Sequence, residues 1–87
     1  MKTLLMIIKY FAWVKNITKI DQEKINDKKI KDIKSLKIYL SKKYPKLKKY
    51  IFKDDLIRFA INLEYSTKNK RIKPKDEIAI FPPVSGG

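Results

Sequence analysis

The 87-residue chain has no cysteine and no histidine, and lysine and arginine outnumber the acids by 22 to 9, which gives a formal net charge of +13. The missing residues exclude disulfides, thiolate nucleophiles, imidazole bases and the usual nitrogen and sulfur ligands of zinc. A chain of this length forms one small domain, for which we expect no catalytic residue and no metal site of its own.

The apolar N-terminal residues suggest either a signal peptide or a buried strand. Lys9 interrupts the apolar run, no small-residue cleavage motif follows, and the run is shorter than the roughly 20 residues that span a bilayer. β-Branched and aromatic side chains on both faces of residues 2–11 instead predict a buried, central strand. We therefore expect a cytoplasmic protein with no membrane partner.

After this strand, Asn16 predicts a turn, and residues 20–25 predict a second strand near an edge.

An amphipathic helix is predicted to start at Asp32, a favourable N-cap, although Ser35 stands where a capping box would have Glu or Gln. Pro45 disfavours helical geometry at the residue before it and should end the helix there. Between these limits, the apolar residues form one stripe of helical period: Ile33, Leu36, Leu40 and Tyr44. The helix should pack on a sheet through this stripe.

After a short lysine-rich connector, apolar residues alternate with polar or small ones, which predicts a strand with one face in the core. The residues expected in the core are Ile57, Phe59, Ile61 and Leu63. Residues 66–71 read as a polar loop, residues 74–76 as a turn, and Glu77–Phe81 as the last strand. Placing the first and last strands as a parallel central pair in a mixed sheet of four or five strands, with the helix across one face, gives an α+β fold of β-grasp architecture.

The lysine excess is concentrated in one third of the chain. Residues 24–53 contain twelve lysines against Asp27 and Asp32, so about ten of the net charges lie there. Such a field attracts nucleic acid or an acidic protein. Two arginines among 22 basic residues are few for recognition of bases or phosphates, and no RNP-type strand is present. We favour a solvated face and expect no nucleic-acid partner, with a lysine-rich nucleic-acid-binding module as the distant alternative.

The only two glycines of the sequence are its last two residues, Gly86 and Gly87. Pro82 and Pro83 follow the last predicted strand, remove two backbone donors and stop the ladder. We expect residues 1–81 to form the domain and residues 82–87 an extended tail, the alternative being an ordinary disordered end. Two residues without a Cβ can thread a narrow tunnel, and ATP can convert a carboxylate there into an acyl-adenylate that a sulfur or amine nucleophile attacks.

Residues 72–87, which end in Phe-Pro-Pro-Val-Ser-Gly-Gly, closely resemble the C-terminus of the small subunit of molybdopterin synthase, a family of ubiquitin-like sulfur carriers. Weaker similarity covers residues 10–15, 32–36 and 61–62. The resemblance implies that an E1-like adenylyltransferase uses ATP to adenylate Gly87 and that a sulfur donor protein then converts it to a thiocarboxylate. The tail residues that would thread the active site of a partner are Pro82, Pro83, Val84, Ser85 and Gly86.

The resemblance further implies that the large catalytic subunit takes up the tail, that sulfur passes to cyclic pyranopterin monophosphate, and that two small subunits flank a dimer of large ones in a heterotetramer. Phe81 and Tyr65 would contact the partners, and no cofactor would be tightly bound. The family usually has glycine where this chain has Lys75, which predicts a type I turn without positive φ. Sulfur transfer to thiamine or tRNA, and protein modification through an isopeptide bond, remain as alternatives.

Overall fold

A five-stranded mixed sheet forms the centre of the computed structural model, which describes residues 5–66 and 68–83. Its strands are β1 (Met6–Tyr10), β2 (Gln22–Ile25), β3 (Arg58–Ile61), β4 (Glu64–Ser66) and β5 (Glu77–Phe81). The strand order is β2-β1-β5-β3-β4, with β1 and β5 parallel and every other neighbouring pair antiparallel. The predicted β-grasp architecture is confirmed, with the parallel pair in the interior of the sheet and β2 at an edge.

The helical segments are α1 (Trp13–Thr18), α2 (Ile33–Lys43), α3 (Pro45–Lys48) and a π-helical turn (Lys49–Lys53). The apolar residues of the last three segments form the core with one face of the sheet: Ile33, Leu36, Leu40, Leu47 and Ile51. Within the described ranges, no helix has the length and apolar character needed to cross a membrane.

β1 is central but is buried on one face only. Met6, Ile8 and Tyr10 lie in the core, whereas Ile7 and Lys9 are partly exposed on the opposite face. The sequence-based expectation of burial on both faces is therefore wrong, because the helical segments pack on the face that carries Met6, Ile8 and Tyr10.

Three helical segments lie where the sequence predicted irregular structure. α1 lies where Asn16 predicted a turn, and it buries Val14 and Thr18, which are one helical turn apart. The predicted lysine-rich connector is α3 followed by the π-helical turn. Pro45 ends α2 as predicted and also occupies the first turn of α3, where a missing N–H is no cost.

The start of α2 carries a complete capping box built with serine. The Asp32 carboxylate accepts a hydrogen bond from the Ser35 backbone N–H at 2.8 Å, and the Ser35 hydroxyl accepts one from the Asp32 N–H at 3.0 Å. The expectation that Ser35 would leave the box incomplete is wrong, because its short hydroxyl reaches back as Glu or Gln would.

Among the residues with positive φ angles, three lie in two turns next to predicted strands, and neither turn carries glycine. Asn62 and Leu63, with φ of 52° and 70°, form the two-residue turn between β3 and β4. Leu63 is consequently 89% exposed, so its predicted place in the core is wrong, while Ile57, Phe59 and Ile61 are buried. Lys75 has a φ of 72°, which contradicts the predicted type I turn.

The backbone hydrogen bond from Lys75 to Leu5 explains the positive φ angle at Lys75. Its N–H donates to the Leu5 carbonyl at 3.0 Å, while the Asp76 N–H closes the turn on the Lys73 carbonyl at 3.1 Å. With Pro74 before a residue at positive φ, the turn has the φ pattern of type II. The bond to Leu5 sets β5 beside β1, and this requirement outweighs the local cost of a left-handed lysine.

Candidate functional site

The predicted tail begins at the centre of the sheet. β5 lies between β1 and β3 and ends at Phe81, and the Phe11 N–H donates to the carbonyl of Ile80 at 3.0 Å. Pro82 and Pro83 follow without regular secondary structure, the first partly buried and the second exposed. Val84, Ser85, Gly86 and Gly87 lie outside the described residues. The structure thus places residues 81–83, which we call the tail root, at the end of β5. That Gly87 carries sulfur stays a prediction.

The two predicted docking residues lie together on the helix-free face of the sheet. The register pairs Tyr65 with Ala60, and Ala60 with Ala79, so these residues share one face with Phe81. The rings of Tyr65 and Phe81 have centroids 6.2 Å apart and are inclined by 51°. Tyr65 is 55% exposed and Phe81 is partly exposed. Two adjacent, solvent-accessible aromatic rings beside small alanine side chains form an apolar patch next to the tail root, which suits a protein contact.

Ion pairs flank this apolar patch. On β1 and β5, Lys9 Nζ lies 2.7 Å from Glu77 Oε1. Beside Phe81, Arg58 pairs with Asp55 at 3.3 Å and also donates to the Asp55 carbonyl at 2.8 Å. These exposed pairs contribute little stability, since solvent screens them. They border an apolar centre with charged groups, as in protein–protein interfaces.

A second cluster with perturbed titration lies between β2 and the end of α2. The Glu23 carboxylate accepts hydrogen bonds from the hydroxyls of Tyr10 and Tyr44, each at 2.6 Å, and from Lys43 Nζ. Burial opposes ionisation of Glu23, but the hydrogen bonds from Lys43, Tyr10 and Tyr44 outweigh it and hold its pKa below the ordinary value. Burial and the bond to Glu23 raise the pKa of Tyr44 to about 12, and the same two causes raise the pKa of Tyr10.

This cluster was not predicted, because its members are far apart in the sequence. A carboxylate with a perturbed pKa is a candidate catalytic group. Both Glu23 oxygens, however, already accept hydrogen bonds from protein groups, and the side chain is 12% exposed. We interpret the cluster as structural, since it ties the end of α2 to β1 and β2. Within residues 5–66 and 68–83, no group of three or more acidic side chains could hold a metal ion.

Comparisons with known proteins match the full length of the fold. Residues 8–87 match the ThiS family. The structure is similar to a Pyrococcus furiosus protein assigned as molybdopterin converting factor, subunit 1, with 25% identity and a TM-score of 0.79 over 93% of this chain and 99% of that one.

Two further solved structures are modifier proteins. Small archaeal modifier protein 1 from Haloferax volcanii is 26% identical, with a TM-score of 0.76 over 95% of this chain and 99% of that one. The protein of the same name from Methanosarcina acetivorans is 24% identical and shares the fold over the whole of both chains, with a TM-score of 0.77.

Proposed function

Because the chain belongs to the ThiS family, whose members are small ubiquitin-like sulfur carriers and not catalysts themselves, we propose that it is the small subunit of a molybdopterin synthase and that Gly87 carries the sulfur. Two observations support this choice of pathway: the likeness to molybdopterin converting factor, subunit 1, and the resemblance of residues 72–87 to the small subunit's C-terminus.

The proposed chemistry uses groups supplied by partners. On an E1-like adenylyltransferase, the Gly87 carboxylate attacks the α-phosphate of ATP, releasing pyrophosphate and leaving an acyl-adenylate. Sulfide-level sulfur supplied by the donor protein then attacks the acyl carbon and AMP leaves, so that a C–O bond is exchanged for a C–S bond and a thiocarboxylate forms. In the large catalytic subunit, this sulfur passes to cyclic pyranopterin monophosphate, and water cleaves the C–S bond and regenerates the carboxylate. Two small subunits would flank a dimer of large ones.

One observation carries the proposal: the central strand β5 ends at Phe81 and is followed directly by two prolines. A strand that is hydrogen-bonded on both sides gives the following residues a rigid origin, and proline prevents them from extending the ladder. The Tyr65–Phe81 patch lies beside this origin and would dock on the partner that receives the tail.

Mass spectrometry tests the proposal. Incubating the chain with ATP, the E1-like enzyme and a sulfur donor should increase its mass by about 16 Da, the difference between sulfur and oxygen, at Gly87. A variant without Gly87 should show no increase. Leu63→Ala is the matched control, because Leu63 is 89% exposed on a turn between β3 and β4 and should leave loading unchanged. Failure of the natural chain to gain sulfur, with an active enzyme, would refute the proposal.

The second candidate is a ubiquitin-like protein modifier, which the likeness to small archaeal modifier protein 1 favours. Here the activated Gly87 would react with a lysine amine and form an isopeptide bond, with loss of AMP. Conjugates that resist denaturation, observed on a gel after incubation with the activating enzyme and cell extract, would identify this function. Conversion of added cyclic pyranopterin monophosphate by the chain and a large subunit would identify the first.

A further inference from the structure

Four exposed lysines lie in the short helical segment at the end of the molecule from which the tail leaves. They are Lys46 and Lys48 in α3, and Lys49 and Lys53 in the π-helical turn, and we refer to them as the lysine collar. The segment from Pro45 to Lys53 contains no acidic residue. Among the described residues, no ion pair involves any collar lysine.

A chain of contacts places this segment beside the tail root. The Phe11 N–H donates to Ile80, the residue before Phe81, and Trp13 then packs on Tyr50 of the π-helical turn with ring centroids 5.0 Å apart. On the other side of β5, Arg58 is paired with Phe81 in the sheet. Leu56, two residues before Arg58, donates its N–H to the Tyr50 carbonyl at 2.7 Å. The segment from Pro45 to Lys53 is therefore joined to the tail root on the β1 side and on the β3 side of β5.

Apolar side chains are exposed within and beside the collar. Phe52 is 52% exposed and Leu56 is 39% exposed. A cluster of cations around partly exposed apolar residues has the composition of a protein-binding surface, in which apolar contacts provide affinity and the charges guide association. The nearest acids in the sequence are Asp54 and Asp55, and Asp55 pairs with Arg58.

We propose that the lysine collar docks on an acidic protein surface at the entrance of the pocket that takes up the tail. This inference rests on the proposed function, because only a tail that enters a partner brings the collar to that entrance. A carrier that is loaded on one protein and unloaded on another needs fast, reversible association, and complementary charge raises the association rate without requiring high affinity. An acidic protein fits better than RNA because the collar contains lysine only, whereas arginine is favoured for phosphate and base recognition.

Activation by the E1-like enzyme tests the inference, since both candidate functions begin with it. The collar variant replaces Lys46, Lys48, Lys49 and Lys53 by Glu, and the control variant replaces Lys28, Lys29, Lys31 and Lys73 by Glu. The control residues are exposed and lie around the opposite ends of β1 and β5, where β2 ends and β5 begins. Each variant lowers the net charge from +13 to +5, four charges being reversed. Circular dichroism is used to check that both variants are folded.

We expect kcat/KM for ATP-dependent activation, followed by pyrophosphate release, to fall by about tenfold or more in the collar variant at low salt. The control variant should lose much less, and the difference between the two should shrink as salt screens the charges. A second collar variant with Gln in place of Glu should lie between the natural chain and the Glu variant. Equal losses in the collar and control variants, or no loss in either, would overturn the inference while leaving the proposed function standing.

Two other outcomes are also decisive. If the natural chain is not activated by the enzyme, both the proposed function and this inference fail. The remaining possibility is that the collar binds nucleic acid, and fluorescence anisotropy with a single-stranded RNA oligonucleotide tests it. If the collar variant loses RNA binding but is activated at the natural rate, the collar serves a nucleic acid and the inference is wrong.

Discussion

Replacing Glu23 by glutamine keeps the shape of the side chain but removes the charge that three donors share. In the natural chain, the hydroxyls of Tyr10 and Tyr44 each donate to Glu23 Oε2 at 2.6 Å. Tyr10 is 1% exposed, so its hydroxyl has no solvent to replace a weakened bond. The substitution therefore tests how much the cluster contributes to folding.

The loss of folding stability expected for Glu23→Gln follows from the hydrogen bonds that the substitution weakens. A hydrogen bond to a charged group contributes about 1.5–3 kcal/mol and a neutral one about 1 kcal/mol, so the two tyrosine bonds together lose about 1–4 kcal/mol. Lys43 is 41% exposed, and its ion pair with Glu23 adds at most about 1 kcal/mol because solvent screens it. We expect Glu23→Gln to lower the free energy of unfolding by about 2 kcal/mol, a substantial fraction of the total for a domain of this size.

Urea denaturation at several pH values measures this loss and its origin. Because the pKa of Glu23 is lowered in the folded state, the stability that ionised Glu23 contributes is fully present above the pKa of an unfolded glutamate. It is lost as the pH falls through the lowered pKa. The difference between the natural chain and Glu23→Gln should therefore shrink on acidification. This account would be refuted if the free energies of unfolding of the natural chain and Glu23→Gln differed by less than about 0.5 kcal/mol at neutral pH, or if the difference did not change with pH. The control is Tyr65→Phe, which lies on the exposed face of the sheet.

The remaining predictions concern the turns and the docking patch. Leu63→Gly should raise the free energy of unfolding by about 0.5–1 kcal/mol in urea denaturation, because glycine adopts its φ of 70° without strain. Lys75→Gly should also raise the free energy of unfolding, because Lys75 has a φ of 72°. Lys73 is not among the positive-φ residues, so Lys73→Gly should be destabilising. Equal effects of the two substitutions would contradict the explanation. Phe81→Ala combined with Tyr65→Ala should weaken binding to the large subunit by about 2 kcal/mol or more in calorimetry, while Leu63→Ala should not.

The sequence predicts the ends of β5 and α2 well because strong local signals, such as proline, mark them. Glu77–Phe81 is bordered by the Pro74 turn and by Pro82, and the observed strand has the predicted ends. The C-terminal limit of α2 follows from Pro45 in the same way. The parallel pairing of β1 with β5 could be predicted because both runs are strongly apolar and a crossover of sufficient length separates them.

What could not be predicted depends on contacts between distant segments. α1 has six residues, too few to be stable alone, and the packing of Trp13 on Tyr50 joins it to the π-helical turn. The positive φ of Lys75 depends on the position of the Leu5 carbonyl. Similarly, composition reveals the lysine excess but not that four of these lysines lie beside the tail root.

The position of β5 also determines how the domain responds to traction. A partner that draws on the chain beyond Phe81 pulls along the axis of a strand held by β1 on one side and β3 on the other. Both hydrogen-bond ladders are then loaded along the strand and resist together, whereas an edge strand pulled in the same direction would be held by one ladder only. If partners hold the domain by its tail, as proposed, the two ladders should let it be pulled free without unfolding.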